Sequence, residues 1–437
     1  GYILALKADN VMTGLNTFFV AVLLVIVGTF SLFMAGSIAF LKLLQKNKRY
    51  YYKTNHFISV SGMIYRMKQN AASLSLICIM STGVLLLISS TTSLYVGQEH
   101  SLYMHYPKEF RISLSLGTEP DDSAQFEKEL KEIGTYAENY LKDNKIATQN
   151  AAGQTVIEAA ALQKDGNVQI TSSRNGSSED FSDLCMVQAI TLEDYNREAK
   201  KDETLEDREA LVFFEDSPIQ QETFSINDMH WKVRQLSADS TMEDSGLKFY
   251  VTPVYRIVVK DFAQLQEIWK INKEAYGDHA SQVKYEYSFD VDFPEEKIQK
   301  LTSSLHAYLG EQKDAPHAFV YGIENRTEGR AEFYSLYGGL FFLGIFLGLL
   351  FVMATVLIIY YKQISEGYED KERFAILKKI GMERGEINAS IHSQVLMVFF
   401  LPLVLAGIHS CFAFHLVKEI LMGGFGLWDV KLLVLSA

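Results

Sequence analysis

The feature that most constrains this chain is a run of 29 residues, Phe333–Tyr361, without a single charge. The segment Lys362–Glu386 follows at once, reading KQISEGYEDKERFAILKKIGMERGE. A bilayer is crossed by ~20 consecutive apolar residues. A soluble core helix is seldom apolar on every face for so long. The run is therefore read as a spanning helix, and the charged segment behind it must lie on one side of a membrane.

Three more runs fit the same description. Asn16–Leu41 is uncharged over 26 residues, Ala71–Gly97 is uncharged and rich in Ser and Thr, and Ile387–Val417 carries Pro402 and three histidines. Small hydroxylated residues allow close helix approach and interhelical hydrogen bonds, so the second span is expected to pack against other helices. Gly344 and Gly348 form a G-x-x-x-G pair in the third span and are candidate packing positions. Gly1–Leu6 reads as the end of a truncated spanning helix and 429–437 as the start of another, so the chain is expected to be a fragment of a larger membrane protein.

Charge sets the orientation. The connector 42–70 holds seven bases and no acid, and 362–386 holds six bases, so both are placed in the cytoplasm by the excess of Lys and Arg. The base-poor stretches 7–15 and 418–428 then fall outside, and so does the block 98–332 between the second and third spans. That block has 44 acids and 25 bases, a net charge of −19, whereas the remainder has 9 acids and 16 bases, a net of +7. The chain's net −12 thus belongs to one region. Of the three cysteines, only Cys185 lies in the block, so no internal disulfide is available and the block must rest on an ordinary core.

Inside the block, periodicity and caps predict mixed secondary structure. Strands are expected at Phe110–Leu116, Phe249–Lys260, Lys284–Phe293 and Ala318–Ile323, with helices over Asp122–Asn144, Asp261–Gly277 and Pro294–Leu309. The alternation suggests β-α-β units. Asn150–Asp183, rich in Gly, Ser and Asn, is expected to be mostly loop, and Lys200–Glu209 a solvated turn. The predicted architecture is an α-helical transmembrane bundle with a large extracellular α+β domain between two spans.

The chemistry is sparse. There is no phosphate-binding G-x-x-x-x-G-K-[ST] loop, so the chain does not hydrolyse ATP itself. No catalytic, cofactor-binding or metal-ligating set is assigned. His100 and His105 are five apart and point to different helix faces. His392, His409 and His415 lie along the fourth span, where hydrogen bonding between helices is as good a reading as function. Tyr285, Tyr287 and Phe289 alternate on a strand and read as core.

Two cytoplasmic segments have helical character. In 362–386, Glu366, Glu369, Asp370 and Glu372 precede Arg373, Lys378 and Lys379, the order a helix macrodipole favours. Phe374, Leu377 and Ile380 recur at helical spacing, and Gly381 sits where a C-terminal cap belongs. In NHFISVSGMIYRMKQNAASL, Met63, Ile64 and Met67 share a face while Arg66 points elsewhere, the pattern of an amphipathic elbow on the inner leaflet.

EGYEDKERFAILKKIGM resembles the cytoplasmic loop that follows the extracellular domain in FtsX-like permeases of ABC transporters, and more narrowly the bacitracin-export, antimicrobial-peptide-sensing (BceB-type) members. Glu372–Arg373, Ile376–Leu377 and Gly381 match the acidic/basic pair, the apolar–Leu pair and the Gly of that loop. KNKRYYYKTNHFISVSGMIYRMKQNA is similar to the same family's elbow region. The resemblance implies that Glu366, Tyr368, Glu369, Glu372, Arg373, Phe374, Ile376, Leu377 and Gly381 face an ATPase, with Met63, Ile64, Arg66 and Met67 as a second cytoplasmic contact. It further implies an ABC ATPase dimer that carries the ATP and Mg, a histidine kinase partner, membrane lipid, and a peptide antibiotic or its lipid-linked target, with no nucleic acid among the partners. The location implied is the bacterial cell membrane, multi-pass. Two other readings are a mechanotransmission permease acting on a cell-wall hydrolase or lipoprotein, and a membrane-anchored receptor without an ATPase.

Overall fold

The structure, a computed structural model, describes residues 1–7, 11–52, 54–164, 167–172, 183–214, 217–235, 252–312, 317–379 and 383–425. They fall into two compact units, one built from Gly1–Val96 with Tyr337–Leu421 and the other from Gly97–Leu336.

The first unit is helical. α1 (Tyr2–Leu6) is followed by α2 (Val11–Ser31), a single π-helical turn over Leu32–Gly36, α3 (Ser37–Lys46) and the short α4 (Lys48–Tyr51). α5 (Thr54–His105), α10 (Arg326–Lys379) and α11 (Arg384–Phe425) are far longer than a bilayer needs. Among the described residues four helical stretches are long and apolar enough to cross a membrane: Gly14–Leu43, Ala71–His105, Arg326–Tyr368 and Phe399–Lys418. Phe19, Phe342, Leu349 and Val356 lie exposed on these helices, as lipid-facing side chains do, while Phe33, Leu41, Leu74, Cys78 and Ala406 pack inward.

Three boundaries drawn from sequence differ. The expected elbow is no separate element: residues 54–70 continue into the second span as one helix, with no residue that breaks the i→i−4 ladder. The charged segment after Tyr361 likewise extends the third span without interruption to Lys379. α11 runs to Phe425, so most of the expected loop 418–428 is helical. Residues 429–437 lie outside the described residues.

One set of polar groups inside the bundle is hydrogen-bonded in sequence. The Thr29 hydroxyl donates to the Val25 carbonyl at 2.7 Å and lies 2.9 Å from His409 Nε2. With its one proton spent, Thr29 can only accept from His409, which fixes the Nε2–H tautomer. Nδ1 is then an acceptor, and the Tyr2 hydroxyl donates to it. A neutral imidazole satisfies every member of this chain.

The second unit holds β1 (Phe110–Leu116), α6 (Ser123–Asp143), β2 (Gln149–Lys164), β3 (Asn167–Gln169), β4 (Leu184–Thr191), α7 (Leu192–Ala199) and β5 (Glu209–Phe214). There follow β6 (Ser217–Pro218), β7 (Thr223–Ile226), β8 (Met229–Val233), β9 (Val254–Val259), α8 (Phe262–Tyr276), β10 (Lys284–Asp290), α9 (Glu295–Gln312) and β11 (Phe319–Asn325). Asp122 and Asp261 cap α6 and α8 by accepting from Gln125 N at 2.8 Å and Gln264 N at 3.1 Å.

At one end the strand order is β11-β1-β10-β2, every neighbour antiparallel. The crossovers β1-α6-β2 and β10-α9-β11 each skip a strand, so the β-α-β units expected from sequence are of the split kind, interlocked in the ferredoxin-like way. Asn150–Asp183 is corrected. Its first half is the longest strand of the domain, β2. Val156 of β2 pairs with Lys284 on one edge and Ile190 on the other. Beyond that point β2, β3, β7, β8, β5, β9 and β4 form a circuit of strands that returns to β2.

One face of this sheet and the inside of the circuit share a single core. Phe110, Ile112 and Leu114 of β1 and Val187 and Ile257 of the circuit are buried with Phe126, Leu265 and Leu305 from α6, α8 and α9. Tyr287 and Phe289 belong to it, as their alternation suggested. Tyr285 lies against two glycines. A Cβ at Gly134 of α6 would stand 2.5 Å from its ring, and one at Gly153 of β2 would meet its hydroxyl end. Overfilling a packed core of this kind costs ~1–3 kcal/mol. Gly134→Ala should lower the thermal unfolding temperature of the domain transition, and Tyr285→Leu added to it should recover most of the loss.

Candidate functional site

The candidate residues divide between the two units. In the helical unit Gly344 and Gly348 of α10 face α5: a Cβ on Gly344 would collide with Thr91, and one on Gly348 would come within 3.1 Å of Ile88. One turn away Tyr95 and Phe341 stack at 4.7 Å. Thr91 cannot easily yield, because its hydroxyl is tied to the Leu87 carbonyl at 2.8 Å.

The residues expected to face an ATPase lie on the end of α10. Glu366 is half-buried beside Lys362, 3.9 Å away, whereas Tyr368 and Ile376 are exposed. Glu369, Glu372, Arg373, Phe374 and Leu377 are helical, but their side chains are outside the described residues, as are Gly381 altogether and the side chains of Met63, Ile64, Arg66 and Met67 on α5. The structure thus brings Glu366 to Leu377 onto one continuous helix.

The second unit has a polar cleft that sequence reasoning missed. Every second residue of β1, β10 and β2 points away from the helices, and these are Arg111, Ser113, Glu286, Ser288, Gln154 and Glu158. Gln188 of β4 stands opposite Glu158, and Arg256 of β9 opposite Gln188. α7 covers the outer face of the circuit by burying Tyr195 among Val156, Ile190, Leu211, Phe213 and Val258. Its Asp194, Arg197 and Glu198 wall one side of a cleft of about 280 Å³.

Most charges here are paired. The buried Arg256 lies 2.7 Å from Glu198, Arg111 is 3.7 Å from Glu324, and Arg197 bonds Asp194 and the Gly153 carbonyl. Asp194 also accepts from Thr155 N at 2.7 Å and the Thr191 hydroxyl at 3.0 Å, anchoring α7 to β2; burial still raises its pKa. Glu286 accepts from Gln154 at 3.3 Å. Burial raises the Glu286 pKa above 4.5, with Glu158 adding to the effect and Arg111 and Lys284 opposing it. The available sequence signal was a polar residue amid apolar ones: Gln188 in LCMVQAIT and Arg256 in VYRIVV. No His, Cys, Asp or Glu group that could hold a metal ion occurs among the described residues.

A raised carboxyl pKa means that the folded state holds the proton more tightly than the unfolded chain. The folded state therefore binds more protons across the window above pH 4.5, and stability falls as pH rises through it. Glu286→Gln should flatten that fall and raise the melting temperature at neutral pH, as followed by thermal unfolding against pH. A variant that melts with the parent's pH slope would show that Glu286 titrates normally.

Comparison with known proteins finds a family match in the C-terminal part of the chain and relatives along most of its length. Residues 340–430 match the FtsX-like permease C-terminal family. The chain is 25% identical over 408 residues to the ABC transporter permease protein YxdM of Bacillus subtilis (strain 168), covering 90% of this chain and 57% of that protein. It is 24% identical over 422 residues to the bacitracin export permease protein BceB of Halalkalibacterium halodurans, covering 94% and 60%, and 24% over 403 residues to BceB of Bacillus subtilis, covering 89% and 55%. The chain thus spans less than two thirds of the length of these relatives. Four helical stretches long and apolar enough to cross a membrane, together with these relatives, support a membrane protein. Residues 340–430 thus carry a match to the FtsX-like permease C-terminal family, and the chain as a whole is similar to ABC transporter permeases that include BceB proteins.

Proposed function

We propose that this chain is the permease subunit of a bacterial transporter that senses and confers resistance to cell-wall-active antimicrobial peptides. The observation that carries the coupling part is α10, which passes without a break from an apolar span into the charged, family-matched segment ending at Lys379. A rigid helix of this kind transmits displacement along its axis. The ATPase dimer, with its ATP and Mg, engages Glu366–Leu377 in the cytoplasm, with Met63–Met67 as the second contact. The β-rich domain lies outside the cell, where its net charge of −19 over 98–332 raises the local concentration of cationic peptides. A histidine kinase reads the transport activity. The names of the BceB relatives support the antibiotic class, and the distribution of Lys and Arg supports the orientation.

Orientation is testable in intact cells. In a Cys411→Ser background, Asp202→Cys should react with an impermeant thiol reagent and Lys379→Cys should not. Labelling of Lys379→Cys from outside would reverse the assignment.

Coupling is testable at Phe374. Truncating a buried aromatic anchor commonly costs ~2 kcal/mol or more, and a rim charge costs little. Phe374→Ala should abolish peptide resistance and ATPase copurification at unchanged membrane abundance, while Lys379→Ala stays near the parent. Full resistance and full ATPase recovery in Phe374→Ala would mean that the end of α10 is only a connector.

A further inference from the structure

The domain is joined to α5 and α10 at one place, and the polar contacts there converge on Arg326. β11 ends at Asn325 and α10 begins at Arg326, with nothing between them; only residues 106–109 separate α5 from β1. The last turns of α5 and the first turns of α10 belong to the same compact unit as the sheet. There Glu99 of α5 pairs with Arg330 of α10 at 3.3 Å and accepts from the Tyr334 hydroxyl at 2.7 Å. Arg326 Nε donates to the Tyr106 carbonyl at 2.8 Å and Nη2 to the Pro107 carbonyl at 2.6 Å, and the guanidinium lies 4.5 Å over the Tyr103 ring. The first residue of α10 thereby closes the C-terminal end of α5, where a helix dipole favours a cation.

The same side chain reaches the sheet. It is 13% exposed and lies 3.8 Å from both Glu109, just before β1, and Asp290, the last residue of β10. Glu109 caps α10 by accepting from Thr327 N at 3.1 Å and the Thr327 hydroxyl at 2.7 Å, and its own N–H donates to Asp290 at 2.9 Å. Asn325 accepts from Glu328 N at 2.7 Å and donates to Thr302 of α9 at 3.1 Å. Gly329 brings α10 so close to Tyr106 that a Cβ there would strike the ring. Partly buried carboxylates tolerate the loss of their cation poorly, and a planar fork serves two neighbouring carbonyls that a point charge on one nitrogen does not. Tethering the domain needs none of this, because two short links would hold it. What the contacts add is direction: neither helix can pivot on the sheet without breaking them.

We infer that Arg326 is a positioning residue that locks the ends of α5 and α10 to β1 and β10, so that these helix ends and the sheet move as one body. The use of the lock in transport, carrying displacement of the helices into the domain, rests on the function proposed above; the lock itself does not.

Double electron–electron resonance on the purified full chain in detergent reads the lock directly. Spin labels go on Leu336→Cys of α10 and Glu274→Cys of α8, both exposed, in a Cys411→Ser background; Cys78 and Cys185 are buried. The parent should give one narrow distance. Arg326→Met should lose it to a broad distribution at a temperature where circular dichroism shows the domain folded. A merely structural role would lower the melting temperature and leave the distance narrow. Arg326→Lys keeps a charge beside Glu109 and Asp290, which covers the case in which Arg326→Met misfolds, and it too should broaden the distribution because it cannot hold both carbonyls. A narrow distance in either variant, folded, would overturn the lock. In cells the broadened variant should lose peptide resistance while the ATPase copurifies at the parent's level; full resistance would overturn the role in transmission. A parent that shows neither resistance nor ATPase recovery would count against the transport reading and not against the lock.

Discussion

A polar group in hydrocarbon has no water to turn to, and that requirement governs the helical half of this protein. Backbone groups are satisfied by long unbroken helices, and the few polar side chains must find partners within the bundle. The chain Tyr2, His409, Thr29, Val25 meets the demand in full, each proton directed to the next acceptor. Where no polar partner serves, contact replaces it. Gly344 lets α10 close on Thr91, since lipid tails give apolar side chains no reason to leave them. Close backbone approach and hydrogen bonds therefore do between these helices what hydrophobic burial does in water.

The second unit solves the opposite problem. Its helices and the interior of its strand circuit bury a single apolar core, and the charges are left to the other face. Period-2 alternation makes that separation automatic: Phe110, Ile112 and Leu114 go one way, Arg111 and Ser113 the other. A face that is only half covered by α7 concentrates acids and bases in one cleft. Within it the pairs Arg256–Glu198 and Arg197–Asp194 are structural, because α7 would lose its seat on β2 and β9 without them.

Much of this was legible in the residues. Uncharged runs announce spans, and Asp122, Asp261 and Pro294 announce helix starts because their chemistry acts within one turn. The sequence misled where structure is decided at a distance. β2 carries Gly153, Ala159 and Ala161 on its inner side, small because Tyr285 and the circuit's core leave no room; read locally, such residues suggest loop. The elbow failed for a related reason: an amphipathic pattern says that a helix exists, not where it turns. The cleft was hard to read because Gln188, Glu158 and Glu286 lie on three strands, and its only local sign was a polar residue amid apolar ones, as Gln188 is in LCMVQAIT.

The strand order also has a kinetic consequence. Phe110 of β1, the first strand made, pairs with Phe289 and Asn325, and both partners come from the last part of the domain. Closing loops of that length costs entropy before any contact repays it, so this half of the sheet must assemble late and slowly. Until then FRISLSL waits with both edges open, an apolar alternating segment relieved by one charge, Arg111. The same central placement that gives β1 two partners in the finished domain makes it, during synthesis, the segment most in need of protection from other chains.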